Sequence, residues 1–148
     1  MAVSTGKTNA KHIRVYLDDL TPAAQNVSAS VSNVSGTGLA YAEKDVTGYS
    51  DGVINFVLGH PSSIIELAGP LDNTASVGSW VIHRARIGYE TSTTTLTVQV
   101  GIRADPTNGC PEFEGEYLCS SFVIDGDANY TSRWVPGSET APAWGVMA

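Results

Sequence analysis

Apolar and polar residues alternate along several short stretches of this chain. Ile13, Val15 and Leu17 alternate with Arg14, Tyr16 and Asp18, the period of a half-buried strand. Val27, Ala29 and Val31 alternate with Ser28, Ser30 and Ser32, which predicts a strand with one apolar and one hydroxyl face. The clearest pattern is Leu96, Val98, Val100 and Ile102 against Thr95, Thr97, Gln99 and Gly101. Further strands are predicted over Leu39–Lys44, Ser63–Leu67, Tyr117–Ile124 and Asn129–Val135, and an extended piece over Ile87–Glu90. Val53–Leu58 is apolar on both faces except at Asn55, so it reads as a buried strand or a short helix, which periodicity cannot separate at this length.

Breakers divide these pieces. Asp18-Asp19-Leu20-Thr21-Pro22, Gly36-Thr37-Gly38, Gly48–Gly52, Gly59–Ser63, Asp105–Gly109 and Gly126-Asp127 carry turn residues. One helix is predicted from an N-cap at Asp72 or Asn73, with Ala75, Val81 and Ile82 on one face, ending near Arg86. Gly78 weakens it by about 1 kcal/mol relative to alanine. The sum is about eight short strands and at most one helix, the pattern of a sandwich or barrel. Residues 1–11 are expected to form a flexible arm, 12–135 a single β-sandwich or barrel domain with one short flanking helix, and 136–148 a loop-like C-terminal tail.

Size and composition refine this picture. A chain of 148 residues buries enough surface to need neither metal nor disulfide for its core. No apolar run is long enough for a membrane-spanning helix, and residues 1–11 lack the apolar core of a secretory signal. The 15 acidic and 8 basic residues give a formal charge of −7, which opposes tight binding to phosphates. That charge serves solubility, or it keeps passing DNA from sticking; composition does not choose. Only 16% of residues are charged, which suits a subunit covered by copies of itself.

Candidate chemistry is sparse. Gly6-Lys7-Thr8 lacks the earlier glycine and preceding strand of a phosphate loop. His12, His60 and His83 are scattered, with no partner motif. Glu112, Glu114 and Glu116 would form an acidic strip on one side of a strand, a solvated face rather than a catalytic carboxylate pair. Cys110 and Cys119 form either a disulfide across a hairpin or two reduced thiols. No catalytic, cofactor-binding or metal-ligating set stands out, so no enzymatic activity and no cofactor are expected. Trp80 and Trp134 serve the core or an interface; Trp144, in the tail, is the candidate for a contact between subunits.

One series of short motifs adds a family. Glu43, Val46-Thr47, the turn at Asp51-Gly52, the apolar stretch Val53–Leu58, Gly59, the strand Ile64–Leu67 and Gly69-Pro70-Leu71-Asp72 follow one another in that order. With Phe122-Val123-Ile124-Asp125-Gly126 near the end, this resembles the major tail tube proteins of long-tailed bacteriophages. The resemblance implies a structural virion protein in the tail, assembled in the host cytoplasm. Its hexameric rings would join sheets edge to edge and stack through the N-terminal arm, the C-terminal tail and a long loop. Its partners would be further copies of itself, the tape-measure protein, and DNA that passes without specific binding; no membrane is involved. Ser28, Ser30, Ser32, Thr95, Thr97 and Gln99 are the candidate lumen-lining residues, because hydroxyl-rich faces cannot be core. Alternative readings are a capsid decoration protein, another ring-forming tail component such as a terminator or baseplate hub, and a carbohydrate-binding or hydrolytic β-domain.

Overall fold

A computed structural model describes residues 10–18, 23–74, 78–102 and 104–148. Expectations for residues 1–9 of the N-terminal arm, for the turn at Asp19–Pro22 and for Ala75 fall outside those residues; the last two arm residues belong to a 3-10 turn, Ala10–His12. Among the described residues the chain forms ten strands and one α-helix: β1 Ile13–Asp18, β2 Ala24–Asn26, β3 Asn33–Ser35, β4 Ala40–Asp45, β5 Phe56–Ser62, β6 Ile65–Pro70, α1 Ser79–Arg86, β7 Thr94–Val100, β8 Pro111–Ile124, β9 Asn129–Pro136 and β10 Ala143–Val146.

Eight strands make one antiparallel sheet in the order β2-β1-β7-β8-β9-β6-β3, with β10 added to β8. Alternation places Val15 and Leu17, Leu96 and Val98, Phe113, Tyr117 and Cys119, Tyr130 and Trp134, and Ile65 and Leu67 in one core, with Ile82 of α1. Each of these five strands therefore gives its apolar face to the same interior. The two ends of the sheet are bridged by residues 27–32. Val27 N–H bonds to Val15 O (3.0 Å), and Ser32 N–H to Ala68 O (2.8 Å). The sheet curls into a barrel-like wrap with α1 on its flank.

That bridge departs from the strand predicted over Val27–Val31. Residues Ser28–Ser30 form a 3-10 turn instead. The serines explain the departure, because a hydroxyl close to its own backbone competes with ladder bonding. Ser28 Oγ accepts from Val15 N–H (2.8 Å), and Ser30 Oγ donates to Val27 O (3.1 Å). Val27 is buried and acts as the plug of the turn. Gly69 lies directly beneath; a Cβ there would collide with the Ser30 carbonyl oxygen.

The predicted helix starts late. Asp72 does not cap it: its Oδ1 accepts from the backbone N–H and hydroxyl of Thr74 (2.9 and 2.6 Å), a local turn. Gly78 is the N-cap, and a Cβ on it would crowd Asp72 O and Thr74 N. The helix is pinned by His83, which is fully buried. Its Nδ1 meets Ser79 O at 2.7 Å, so it carries the proton and donates. Nε2 then accepts from Ser132 Oγ (3.0 Å), which accepts from Trp134 Nε1 (3.1 Å). The ring stacks on Phe122 at 4.7 Å and lies 5.0 Å from Tyr130.

Three other expectations change. Residues 136–148 are not all loop, since β10 pairs with the start of β8. β8 begins at Pro111 rather than Tyr117 and runs for 14 residues. That single strand excludes the hairpin disulfide: Cys110 immediately precedes β8 and Cys119 lies within it, which at strand rise separates them by roughly 25–30 Å, against the ~7 Å limit for bridging. Both thiols are free. Burial raises that of Cys119 to about 11, and the Thr107 N–H aimed at Cys110 sulfur holds the latter below its ordinary range.

Burial lowers the His83 pKa from 6.5 to about 4. The unfolded chain therefore binds the proton more tightly. The stabilisation is complete above pH 6.5 and is lost as pH falls toward 4, by on the order of 3 kcal/mol. Urea midpoints measured from pH 7.5 to 4.0 should drop through this window in the wild-type protein. A His83→Gln variant, less stable at pH 7, should show little pH dependence there. Gly36 sits at φ +82° where a Cβ would strike the Ile64 carbonyl oxygen. Gly36→Ala should therefore lower stability by about 1–3 kcal/mol in a denaturant titration.

Candidate assembly surfaces: a carboxylate ladder and an apolar arm

The face of the sheet opposite the core carries the first surface. β7 and β8 pair with Thr95 opposite Glu116, Thr97 opposite Glu114 and Gln99 opposite Glu112. Each pair is hydrogen-bonded. Thr95 Oγ1 donates to Glu116 Oε1 (2.7 Å), and Thr97 Oγ1 donates to Glu114 Oε2 (3.2 Å). Gln99 Nε2 donates to Glu112 Oε2 (2.9 Å), and Thr93 Oγ1 to the other Glu116 oxygen (2.6 Å). Carboxylates at alternate positions on one strand lie about 7 Å apart and repel. The donors from β7 offset that repulsion, at roughly 0.2–1 kcal/mol per cross-strand pair. Potential donors in the ladder are thus engaged with carboxylates, and the face presents negative charge. Arg14, on the neighbouring strand opposite Gln99, bonds to Asp105 and to the carbonyls of Lys11 and Ile13.

Two groups of residues read as hydroxyl faces in the sequence thus part company. Thr95 and Gln99 join the acidic strip on one surface, and Thr97, itself buried, supports it from beneath through Glu114. Ser28, Ser30 and Ser32 do not, since they belong to the bridging turn. Ser30 is buried, which removes it as a lining residue, and Ser32 Oγ donates to Ala68 O (3.2 Å).

The second surface is an arm. β3 leads into β4, β5 leads into β6, and the pairs β3–β6 and β4–β5 are both antiparallel. Together they form one long hairpin bent at Gly36–Gly38 and Ser63–Ile64, with β4–β5 standing clear of the main sheet. Its loop is organised by its own side chains. Asp45 Oδ1 accepts from Thr47 N–H (2.9 Å) and Thr47 Oγ1 (2.6 Å), and Asp51 Oδ2 accepts from Gly48 N–H (2.7 Å). Asn55 N–H donates to Thr47 Oγ1 (2.9 Å). These bonds hold both carboxyls below their ordinary pKa, chiefly through Thr47 for Asp45 and the Gly48 N–H for Asp51.

On this ordered scaffold the apolar stretch is uncovered. Val53, Ile54, Phe56 and Leu58 are 54–70% exposed, and Tyr49 at the tip is fully exposed. The buried strand or short helix read from Val53–Leu58 is therefore corrected: a two-stranded arm has no second layer to cover either face. Sequence periodicity showed the apolar character but had no means of showing that nothing packs on it.

The tryptophans separate as well. Trp134 is fully buried core. Trp80 lies 6.1 Å from Phe122 with Arg84 over its ring. Trp144 on β10 contacts Phe113 edge-on at 5.0 Å and stays half exposed. Among the described residues no cluster of His, Cys, Asp and Glu is arranged to hold a metal, and no helix is long and apolar enough to cross a membrane.

No family model matches the chain, and no curated protein does. Solved structures do. A chain in the virion of a native gene transfer agent particle aligns with TM-score 0.61 at 18% identity, covering 96% of this chain and 100% of that one. A chain from the tail of an empty gene transfer agent particle, refined helically with C6 symmetry, gives 0.58 at 22% identity over 96% and 100%. One from the sheath/tube terminator of an extracellular contractile injection system in the extended state gives 0.63 at 13% identity over 94% and 96%. These likenesses run over nearly the whole of each chain, and the chain shares the mainly β fold of these virion, tail and terminator chains.

Proposed function

We propose that this chain is a structural virion subunit that assembles with copies of itself into the tube of a phage-type tail. The observation that carries the reading is the arm. An ordered hairpin with Val53, Ile54, Phe56 and Leu58 facing solvent is an interaction surface without its partner. In a stacked assembly the next copy supplies the missing layer. Ring closure would proceed by pairing of sheet edges between subunits, as in strand addition. The half-exposed indole of Trp144, on the edge strand β10, would reach a neighbouring subunit.

In this reading Thr95, Gln99, Glu112, Glu114 and Glu116 line the lumen, with the buried Thr97 holding Glu114 from beneath. The ladder's engaged donors and negative charge offer phosphates nothing to bind, so DNA passes without sticking. The tape-measure protein would occupy the same channel during assembly. The protein would work in the virion tail after assembly in the host cytoplasm, and it performs no catalysis.

A terminator that caps the tube is the second reading, favoured by the similarity to the injection-system terminator chain. Negative-stain imaging of the purified protein separates the readings. Long hollow filaments are expected of a tube subunit and isolated rings of a terminator. Protein that remains monomeric at high concentration would overturn both and favour a decoration role.

Two variants test the surfaces. Phe56→Ser with Leu58→Ser should leave thermal unfolding nearly unchanged but abolish filaments in sedimentation assays. Glu112→Gln, Glu114→Gln and Glu116→Gln together should still permit filaments. Those filaments should retain short duplex DNA at low salt at least tenfold more than wild type in a co-sedimentation assay.

A further inference from the structure

The arm leaves the body through two bends. On the incoming strand Gly36 and Gly38 have φ of +82° and +123°, in the left-handed region where glycine is favoured. On the returning strand Ser63 and Ile64 separate β5 from β6. Such a junction has few bonds of its own, because the ladder is interrupted on both strands at the same level. The angle of the arm must be set by what packs against the bend.

Two contacts do so. Ser63 Oγ and Tyr117 OH, both buried, are 2.8 Å apart, which ties the returning strand to β8. On the other strand the indole of Trp144 lies against Gly38; a Cβ placed there would be 3.6–3.7 Å from Nε1 and Cζ2 of the ring. Trp144 is itself fixed to the body. β10 pairs with Pro111–Glu114, and its ring rests edge-on against Phe113. Cys110 O accepts from Met147 N–H, and Met147 O accepts from Gly109 N–H, both at 2.9 Å. Upstream, Pro142 is buried over Gly115, where any Cβ would clash with the proline ring.

We infer that Trp144 is a positioning residue for the arm: the C-terminal strand is a bracket that holds the hairpin at one angle through the contact of indole with Gly38. The bracket is indifferent to sequence at the arm tip and acts only on its direction. A cleft of about 240 Å³ lies between Leu39, His60 and Pro61 of the arm base and Pro136, Glu139 and Pro142 of the tail. Without the indole the hairpin has room to swing toward the tail. Preorganising the arm lowers the ordering cost of each docking event, so the bracket sets the rate of subunit addition. The consequence for assembly rests on the tube reading above; the bracket itself does not.

Residual dipolar couplings of backbone amides, recorded on dilute monomeric protein, test it. In the wild-type protein the couplings of β4 and β5 should fit the alignment tensor of β8 and β9. In Trp144→Ala they should shrink and no longer fit, while those of the body stay unchanged. Trp144→Phe should restore most of the fit. Filament elongation by Trp144→Ala should slow at least tenfold, with recovery in Trp144→Phe. Arm couplings in Trp144→Ala that still fit the body tensor would overturn the proposal. If Trp144→Ala fails to fold, the same measurement on Trp144→Leu decides, since leucine keeps an apolar contact on Phe113 but cannot reach Gly38. Wild-type protein that never forms filaments would end the assembly reading and leave the couplings to decide the bracket alone.

Discussion

The stitch made by residues 27–32 is the constraint on which the rest of this structure depends. A sheet of this size has two ends, each a row of unpaired backbone groups. Here the chain that leaves β2 crosses directly to β3, and its serines and backbone join Val15 on β1, second from one end, to Ala68 on β6, second from the other. Curling the sheet encloses one face, and that face becomes the whole core. The opposite face is then committed to solvent or to a neighbour, and the hairpin that continues from β3 and β6 has no body left to pack on.

Both proposed assembly surfaces follow from that closure. On the outward face, strand pairing places a row of carboxylates beside a row of hydroxyl and amide donors, and the register makes each carboxylate find one. Neither row alone would be a defined surface. Flexible glutamates would spread and repel, and unengaged threonines would offer donors to a phosphate. The paired ladder is fixed in geometry and single in sign.

The arm expresses the opposite economy. Its backbone is organised by Asp45, Thr47, Asp51 and Asn55, while its apolar side chains have no cover. An isolated two-stranded ribbon of this kind is marginal in water. It persists here because its base is continuous with the main sheet and held at Tyr117 and Trp144. An ordered yet uncovered surface is costly in a lone molecule and reasonable in a subunit whose partner is another copy.

The sequence by itself determined the strands whose alternation is regular, because burial on one face of a sheet writes a period of two into the chain; β1, β7 and β9 are legible for that reason. It also marked Glu112, Glu114 and Glu116 as one strip. Tertiary structure decided everything that turns on which backbone groups find which partners. Ser28 and Ser30 leave the hydroxyl face because their oxygens are spent on Val15 and Val27. Cys110 and Cys119 are separated by a strand that starts at Pro111: the alternating glutamates mark its solvent side, but proline at 111 and glycine at 115 hide that it runs unbroken into Tyr117. Val53–Leu58 reads as core from its composition, yet only the position of the other layers reveals that none reaches it. Local pattern reports how apolar a face is; what covers that face is a property of the whole chain, and for this arm a property of the next one.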